Sequence, residues 1–203
     1  GEVMPDVEVK IGENNEVLIK GETVMSGYYN KPEITAAVFT EDGFFKTGDA
    51  GYVNTADNTI TLTDRIKDLY KTSNGKYIAP QMIETRISED KYIDQVAVIG
   101  DERKFVSALI VPNYDALKIY ADTHGIDYET VIDLVKKPEI NDFISGRIEL
   151  LQSQFTSYEK IKRFALLAAP FTMESGELTN TLKLRRKVVL ERYADVIDGL
   201  YVD

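Results

Sequence analysis

The stretch TDRIKDLYKTSNGKYIAP, residues 63–80, joins two parts of the chain whose sequence patterns differ. Short alternating runs and turns come before it, and buried strands and amphipathic helices follow it. Inside it, two extended runs flank a polar cluster at 72–76 centred on Asn-Gly, a dipeptide that tolerates positive φ and favours a hairpin. Pro80 is then placed to open a helix. The pattern predicts a charged joint with a protruding hairpin, and an ordinary surface hairpin is the alternative.

The composition excludes several classes of protein. Of the 203 residues, 43% are hydrophobic, which is enough for a packed core and does not fit a disordered chain. The net charge is −10 at pH 7 and no Lys/Arg-rich run is longer than residues 184–187, so we expect no nucleic-acid partner, which would require a clustered basic face. The absence of cysteine excludes disulfides, thiolate metal sites and a cysteine nucleophile. No apolar run is long enough to span a bilayer, so we expect a soluble, cytoplasmic protein, with peripheral membrane contact left open.

Residues 1–66 predict a small β-rich subdomain, because short strands with regular turns are typical of a small barrel or sandwich. A short helix that Pro32 opens is expected to interrupt it at 33–39. The expected strands lie at 7–11, 17–20, through 52–53, and 59–62.

Residues 67–203 predict a compact α+β domain. Buried strands are expected at 96–99, 105–111 and 164–167, the first two as an antiparallel pair. Helices are expected at 80–89, 114–123, 128–136, from Pro138, and in one closing helix from about Arg185. The fold class is therefore α+β, a β-barrel-like subdomain followed by a compact α+β C-terminal domain.

Two further motifs carry residues suited to chemistry. In Phe-Lys-Thr-Gly-Asp, Asp49 follows glycine at a predicted strand end, and a carboxylate can accept two hydrogen bonds at once from a diol. Thr-Gly-Asp alone is usually just a turn. In SGELTNTLKLRR, residues 175–186, Lys183 lies in a polar loop ahead of the last helix. On residue type alone it is one more cation at a basic helix start, and Arg185, Arg186 and Lys187 form a solvated or phosphate-attracting face.

The three motifs together resemble those of the adenylate-forming enzymes, the superfamily of acyl-CoA synthetases, luciferases and peptide-synthetase adenylation domains. The resemblance runs along essentially the whole chain. Asp-Arg with a lysine two residues later, Gly-x-x-Ile-x-Pro and Gly-x-Leu-Thr-x-Thr-x-Lys are closest to the fatty-acyl-CoA synthetase branch. The resemblance implies a long-chain fatty acid–CoA ligase of lipid metabolism. Such an enzyme makes an acyl-adenylate from a carboxylate and ATP, and CoA then displaces AMP.

The resemblance also implies a role for each motif. Asp49 and Arg65 would bind the nucleotide, Lys183 would be the catalytic lysine, and Lys67 would be the domain hinge. The hairpin tip would enter the CoA channel, and it consists of Ser73, Asn74, Gly75 and Lys76. ATP, AMP and CoA are the implied cofactors. Mg²⁺ would arrive with ATP, because no metal-ligand set is identified in this chain, and His124 is expected at the surface.

Two motifs of the family are missing, a Ser/Thr/Gly-rich phosphate loop and a Tyr-Gly-x-Thr-Glu-like segment. We therefore expect the C-terminal part of a longer synthetase, inactive when isolated, whose partners are its small-molecule substrates and the rest of its own chain. In that interpretation, residues 1–66 form the last subdomain of the large AMP-binding domain, and residues 67–203 form the mobile C-terminal domain. The alternatives are an aryl-CoA ligase, a peptide-synthetase adenylation domain or a non-catalytic interaction module.

Overall fold

The computed structural model describes residues 1–202, and the predicted α+β class is confirmed. The chain forms two compact units. Unit 1 is Gly1–Leu69, and unit 2 begins at Tyr70. The predicted division into domains 1–66 and 67–203 concerns a hinge, which compactness does not test, and it stays a prediction.

Unit 1 is built on a four-stranded antiparallel sheet whose spatial order follows the chain. A single short helix, α1 (Pro32–Val38), lies between its second and third strands. The strands are β1 (Val7–Ile11), β2 (Glu16–Gly21), β3 (Phe45–Asn54) and β4 (Thr59–Arg65).

The residues ahead of β1 return to β4 and curl this sheet. Glu2 forms an isolated antiparallel bridge with Thr59. The backbone of Ile60 donates a 2.8 Å hydrogen bond to Gly1, whose amino group donates a 2.7 Å bond back to Ile60. A curl that brings the start of the chain to the last strand gives unit 1 the barrel-like character expected from its short strands.

Unit 2 contains a hairpin and a three-stranded mixed sheet. The hairpin strands are β5 (Tyr70–Lys71) and β6 (Tyr77–Ile78). The larger sheet consists of β7 (Ile93–Ile99), β8 (Val106–Pro112) and β9 (Ile161–Leu166). β7 and β8 pair antiparallel, as predicted, and β9 pairs parallel to β8.

The sheet of unit 2 separates two hydrophobic clusters, which is why its strands are almost continuously apolar. Side chains alternate along a strand, so Val96 and Val98 of β7 belong to one cluster while Ala97 and Ile99 belong to the other. The helices of unit 2 are α2 (Pro80–Ile87), α3 (Tyr114–His124), α4 (Val131–Leu134), α5 (Pro138–Leu151), α6 (Arg186–Arg192) and α7 (Ala194–Gly199). Within residues 1–202, none of the helices has the length and apolarity needed to cross a bilayer.

Two helix predictions were wrong in extent. The closing helix is two helices, because Tyr193 leaves the helical region at φ −106° and ψ 21°, where its ring packs edge-on against Phe171. The helix expected at 128–136 is only α4. Thr130 caps its start by accepting a hydrogen bond from the backbone of Asp133, and Pro138 keeps the preceding residue extended.

Candidate functional site

Asp49 and Arg65 face each other across β3 and β4 in unit 1. They occupy opposite positions in the strand register, and Arg65 Nε lies 3.6 Å from Asp49 Oδ1. The Arg65 side chain is 75% exposed and that of Asp49 32%. An exposed ion pair at this distance contributes at most about 1 kcal/mol, so a ligand could displace either group at little cost. The pair offers an acceptor for hydroxyl groups beside a donor for anionic oxygens.

The prediction that Asp49 ends a strand was wrong, because β3 continues through it to Asn54. The motif instead forms a bulge. Between the pairs Leu18–Lys46 and Glu16–Ala50, β3 takes four steps where β2 takes two. Gly48 absorbs the extra length with φ +74°, a conformation that suits glycine. The bulge, and not a strand end, sets the position of the carboxylate.

Lys67 lies in a single turn of 3₁₀ helix, Ile66–Asp68, close to the end of unit 1 at Leu69. Its side chain is exposed. Leu69 donates a 3.1 Å backbone hydrogen bond to Arg65, so the turn is closed in this conformation. The hinge role of Lys67 stays a prediction.

The hairpin between β5 and β6 forms as predicted. Thr72 donates a 2.9 Å backbone hydrogen bond to Lys76, and Gly75 donates a 2.8 Å bond to Thr72. Gly75 has φ +75°, and no atom lies within 4 Å of the place where its Cβ would be. The tip is therefore open in this conformation, and the glycine satisfies the backbone of the turn.

The base of the hairpin is fixed to the turn between β7 and β8. Glu102 donates a 2.9 Å backbone hydrogen bond to Lys71, and Ser73 donates a 3.0 Å bond to Arg103. The carboxylate of Asp101 accepts a 3.0 Å bond from the backbone of Lys71. The side chain of Asn74 donates a further 3.4 Å bond to the backbone of Lys104. These bonds hold the hairpin as far as Asn74, while Gly75 faces open space.

A cleft of about 220 Å³ opens beside the hairpin tip and collects four lysines from three separate segments of the chain. They are Lys76, Lys104, Lys160 and Lys162. Tyr158 lines the same cleft, with the ammonium of Lys76 5.8 Å from its ring centre. Lys160 also lies 3.3 Å from Glu149, so part of its charge is neutralised. Clustered ammonium groups in an otherwise acidic protein attract an anionic ligand.

The lysine loop, residues 178–185, carries Lys183 ahead of α6, as predicted. An isolated bridge between Leu178 and Leu184 closes it. Thr179 donates a 2.8 Å backbone bond to Lys183 and accepts a 3.1 Å bond from Lys183 on its hydroxyl. The Lys183 residue itself is exposed. Its backbone is thus held in place at the surface of unit 2.

Arg186 is not the solvated residue expected from the basic run. Its guanidinium forms two hydrogen bonds to Glu84 of α2, at 2.6 and 2.8 Å, and a third to the hydroxyl of Tyr70 at 3.3 Å. Burial alone would lower the pKa of Arg186, but the bonds to Glu84 outweigh it and raise the pKa further above its ordinary value. Arg185 and Lys187 are exposed, as expected.

A second ion pair fixes the other side of the lysine loop. Arg192 of α6 lies 2.7 Å from the carboxylate of Glu177, whose side chain is 2% exposed. Burial would raise the pKa of Glu177, but hydrogen bonds from Ser175, the backbone of Thr172 and Arg192 outweigh it and lower the pKa. An arginine–carboxylate pair therefore flanks the lysine loop at each end and holds it against the rest of unit 2.

One sequence signal could have found the first of these pairs. Glu84 lies on α2 between Ile83 and Ile87, both fully buried. A carboxylate on the buried face of a helix requires a cationic or hydrogen-bonding partner. The signal does not name the partner, since Arg186 is 102 positions away in sequence.

Within the described residues, no group of three or more acidic or histidine side chains could hold a metal ion. His124 ends α3 at the surface, where its ring stacks on Tyr120 with 4.0 Å between the ring centres. Neither the acidic side chains nor His124 forms a metal site of its own in residues 1–202.

Similarity to known proteins extends over the whole chain. Residues 67–203 match the family described as AMP-binding enzyme C-terminal domain. The chain is similar to the long-chain-fatty-acid–CoA ligase FadD15 of Mycobacterium tuberculosis. The identity is 34% over 202 residues, which are 99% of this chain and 33% of that protein.

Solved structures show the same architecture. The adenylation domain of a carboxylate reductase from Mycobacterium chelonae aligns with a TM-score of 0.68 and 31% identity, over 98% of this chain and 32% of that one. The corresponding domain from Segniliparus rugosus was solved with AMP and a co-purified carboxylic acid. It aligns with a TM-score of 0.65 and 29% identity, over 97% of this chain and 32% of that one. This chain spans about a third of the length of the proteins that it matches.

Proposed function

Because this chain belongs to the family of AMP-binding enzyme C-terminal domains, we propose that the full-length protein is an AMP-forming fatty acid–CoA ligase. The membership of the adenylate-forming enzymes that the three motifs predicted is confirmed. The reaction has two steps. A fatty acid carboxylate attacks the α-phosphate of ATP and releases pyrophosphate, and the thiol of CoA then displaces AMP from the acyl-adenylate to form the thioester.

The observation that carries this proposal is the placement of Lys183. Its backbone is fixed in a loop held by two ion pairs, and the residue is exposed. In adenylation, negative charge builds between the carboxylate and the α-phosphate. A positioned ammonium can contact both groups and stabilise that charge in the transition state. Lys183 is therefore the proposed catalytic lysine.

Asp49 and Arg65 are the proposed nucleotide-binding residues. The Asp49 carboxylate is suited to the two hydroxyls of the ribose, and the exposed Arg65 guanidinium is suited to anionic oxygens. Their weak mutual contact supports this role, since little free energy is lost when a nucleotide replaces it. Mg²⁺ would enter bound to the phosphates of ATP.

CoA is the proposed acceptor, and two features of unit 2 support it. The hairpin tip, Ser73 to Lys76, has an open space at Gly75 where a thiol-bearing chain could pass close to the backbone. The lysine cleft beside it is suited to the phosphates of CoA. Rotation about Lys67 would exchange the lysine loop and the hairpin at the reacting centre, with 67–203 moving as the C-terminal domain.

A second candidate is an adenylating enzyme that passes the acyl group to a carrier domain. The similarity to the A-PCP didomain of the carboxylic acid reductase from Segniliparus rugosus, in which an adenylation domain is joined to a carrier domain, favours it. Peptide-synthetase adenylation domains share that transfer, while aryl-CoA ligases use CoA with a different carboxylate. Release of AMP from pre-formed acyl-adenylate by CoA alone separates the CoA ligases from the carrier-dependent enzymes.

The test uses the purified full-length protein with ATP, Mg²⁺, CoA and palmitate. We expect palmitoyl-CoA, AMP and pyrophosphate in equal amounts. Omission of CoA should leave palmitoyl-adenylate and pyrophosphate. Absence of pyrophosphate with fatty, aromatic and amino acid substrates alike would contradict adenylation and favour a non-catalytic interaction module.

A further inference from the structure

Leu182, the residue before Lys183, combines a costly backbone conformation with an exposed apolar side chain. Its φ is +59°, in the left-handed region that side chains of L-amino acids disfavour. The residue is 68% exposed, so its side chain gains little from burial within unit 2. Conformation and exposure both count against a leucine at this position.

The turn explains the backbone but not the leucine. Leu182 donates a 2.9 Å backbone bond to Thr179, and Thr179 donates a 2.8 Å bond to Lys183. A tight turn of this kind is completed by one residue in the left-handed region, normally glycine or asparagine. Among the described residues, the other non-glycine positions with positive φ are Glu102 and four asparagines, Asn14, Asn15, Asn30 and Asn58. Glycine or asparagine would close the lysine loop at lower cost.

The surroundings of Leu182 indicate what its side chain can contact. Its exposed neighbours are polar, so Leu182 is an apolar group at a polar end of the lysine loop. These neighbours are Asn180, Thr181 and Lys183. Leu184, two residues further along the chain, packs against the hydrophobic cluster that contains Ala97 and Ile99, and this contact anchors the loop to the rest of unit 2. The exposed end of the lysine loop thus presents one apolar side chain among polar ones. An apolar centre with a polar rim is the arrangement found in protein–protein interfaces. A hydrocarbon tail needs an enclosed apolar cavity, which an exposed polar tip does not provide.

We propose that Leu182 is a docking residue that packs against an apolar surface of the large AMP-binding domain when the loop brings Lys183 to the adenylation site. The proposal rests on the proposed function, because it assigns Leu182 to the adenylating position of the loop. Contact with that surface would bury the leucine side chain and offset the free-energy cost of its left-handed backbone. This gain would exist only in the adenylating conformer. Leu182 would then favour the conformer that carries out the first half-reaction.

The test compares Leu182→Gly, Leu182→Asn and Leu182→Met in the full-length protein. Glycine and asparagine accept the left-handed backbone but remove the apolar group, so the midpoint of unfolding should stay the same or rise. Adenylation, measured by pyrophosphate release, should fall by ~10- to 100-fold, the range that corresponds to burying one leucine side chain. The rate at which CoA converts pre-formed acyl-adenylate to the thioester should change less than twofold. Methionine keeps an apolar side chain and should retain most of the adenylation rate.

The proposal is overturned if the glycine variant adenylates as fast as the wild type, or if both half-reactions fall together. It is also overturned if the loss grows with acyl length from hexanoate to palmitate, because that result would place the leucine on the substrate. Failure of the proposed function looks different. In that case the wild-type protein itself forms no acyl-adenylate.

Discussion

Two arginine–carboxylate pairs in this protein differ in geometry and exposure. Arg65 touches Asp49 at one point, 3.6 Å away, and is largely exposed. Arg186 meets Glu84 with two bonds of 2.6 and 2.8 Å, with side-chain exposures of 26% and 11%. The first pair leaves its groups available to a ligand, whereas the second connects α2 to α6. A charged residue in a motif can therefore bind substrate or hold the scaffold, and geometry distinguishes the two.

Lys183→Ala gives the largest expected effect, because it removes an exposed cation from a fixed loop. Adenylation in the full-length protein should fall by about 10²–10³-fold, the loss typical of one transition-state donor. The free energy of unfolding should change by no more than about 0.5 kcal/mol. The two half-reactions are measured separately on the one variant. Equal loss in both, or in neither, would show that Lys183 is not the catalytic lysine.

Glu84→Gln should destabilise the fold more than Lys183→Ala does. Removal of one partner from a buried ion pair costs roughly 3–5 kcal/mol, and the partial exposure of Arg186 places this pair at about 2–3 kcal/mol. Denaturant unfolding measures the loss. Glu89→Gln is the matched control, since its pair with Arg86 is exposed and should contribute less than about 1 kcal/mol. Equal losses in the two variants would mean that the buried pair has no special structural role.

Lys162→Gln tests the lysine cleft. Loss of one ammonium facing a phosphate should raise the KM for CoA by about tenfold, which corresponds to a charged hydrogen bond of roughly 1.4 kcal/mol. Steady-state kinetics at varied CoA measures it, and the adenylation half-reaction should be unchanged. Lys187→Gln, an exposed lysine of α6, is the control. An unchanged KM for CoA would remove the cleft from the CoA site.

Glu177 should make stability depend on acidic pH. Its folded pKa is lowered from 4.5, so its stabilising contribution is complete above that value and is lost as the pH falls through the folded pKa. Wild-type protein should therefore lose more free energy of unfolding than Glu177→Gln as the pH falls below about 4.5. Urea titrations between pH 6 and about 3 compare the two slopes. Parallel slopes would contradict the assignment.

Arg65→Gln should have as small an effect on stability as Lys183→Ala. Its exposed pair with Asp49 should contribute less than about 0.5 kcal/mol to the free energy of unfolding. The KM for ATP should nevertheless rise if the guanidinium contacts the nucleotide. A stability loss as large as that of Glu84→Gln would remove the distinction between the two pairs.

Local signals predicted much of the fold. Asn-Gly and Pro80 act within a few residues, and the hairpin and α2 formed where these signals placed them. The break at Tyr193 was missed, because its packing against Phe171 depends on tertiary structure. The lysine cleft was missed for a similar reason, since its four lysines come from three separate segments. The roles of Asp49, Arg65, Lys67 and Lys183 came from motif resemblance, which carries residue roles but not their supporting contacts.

The parallel pairing of β9 with β8 has a consequence for synthesis on the ribosome. All residues of β8 are buried, yet its second partner strand is made only after residues 113–160 have emerged. Until then one edge of an apolar strand lacks its partner, and such edges promote association between chains. A stalled or truncated chain that ends before Ile161 should therefore depend on chaperones more than the complete chain does.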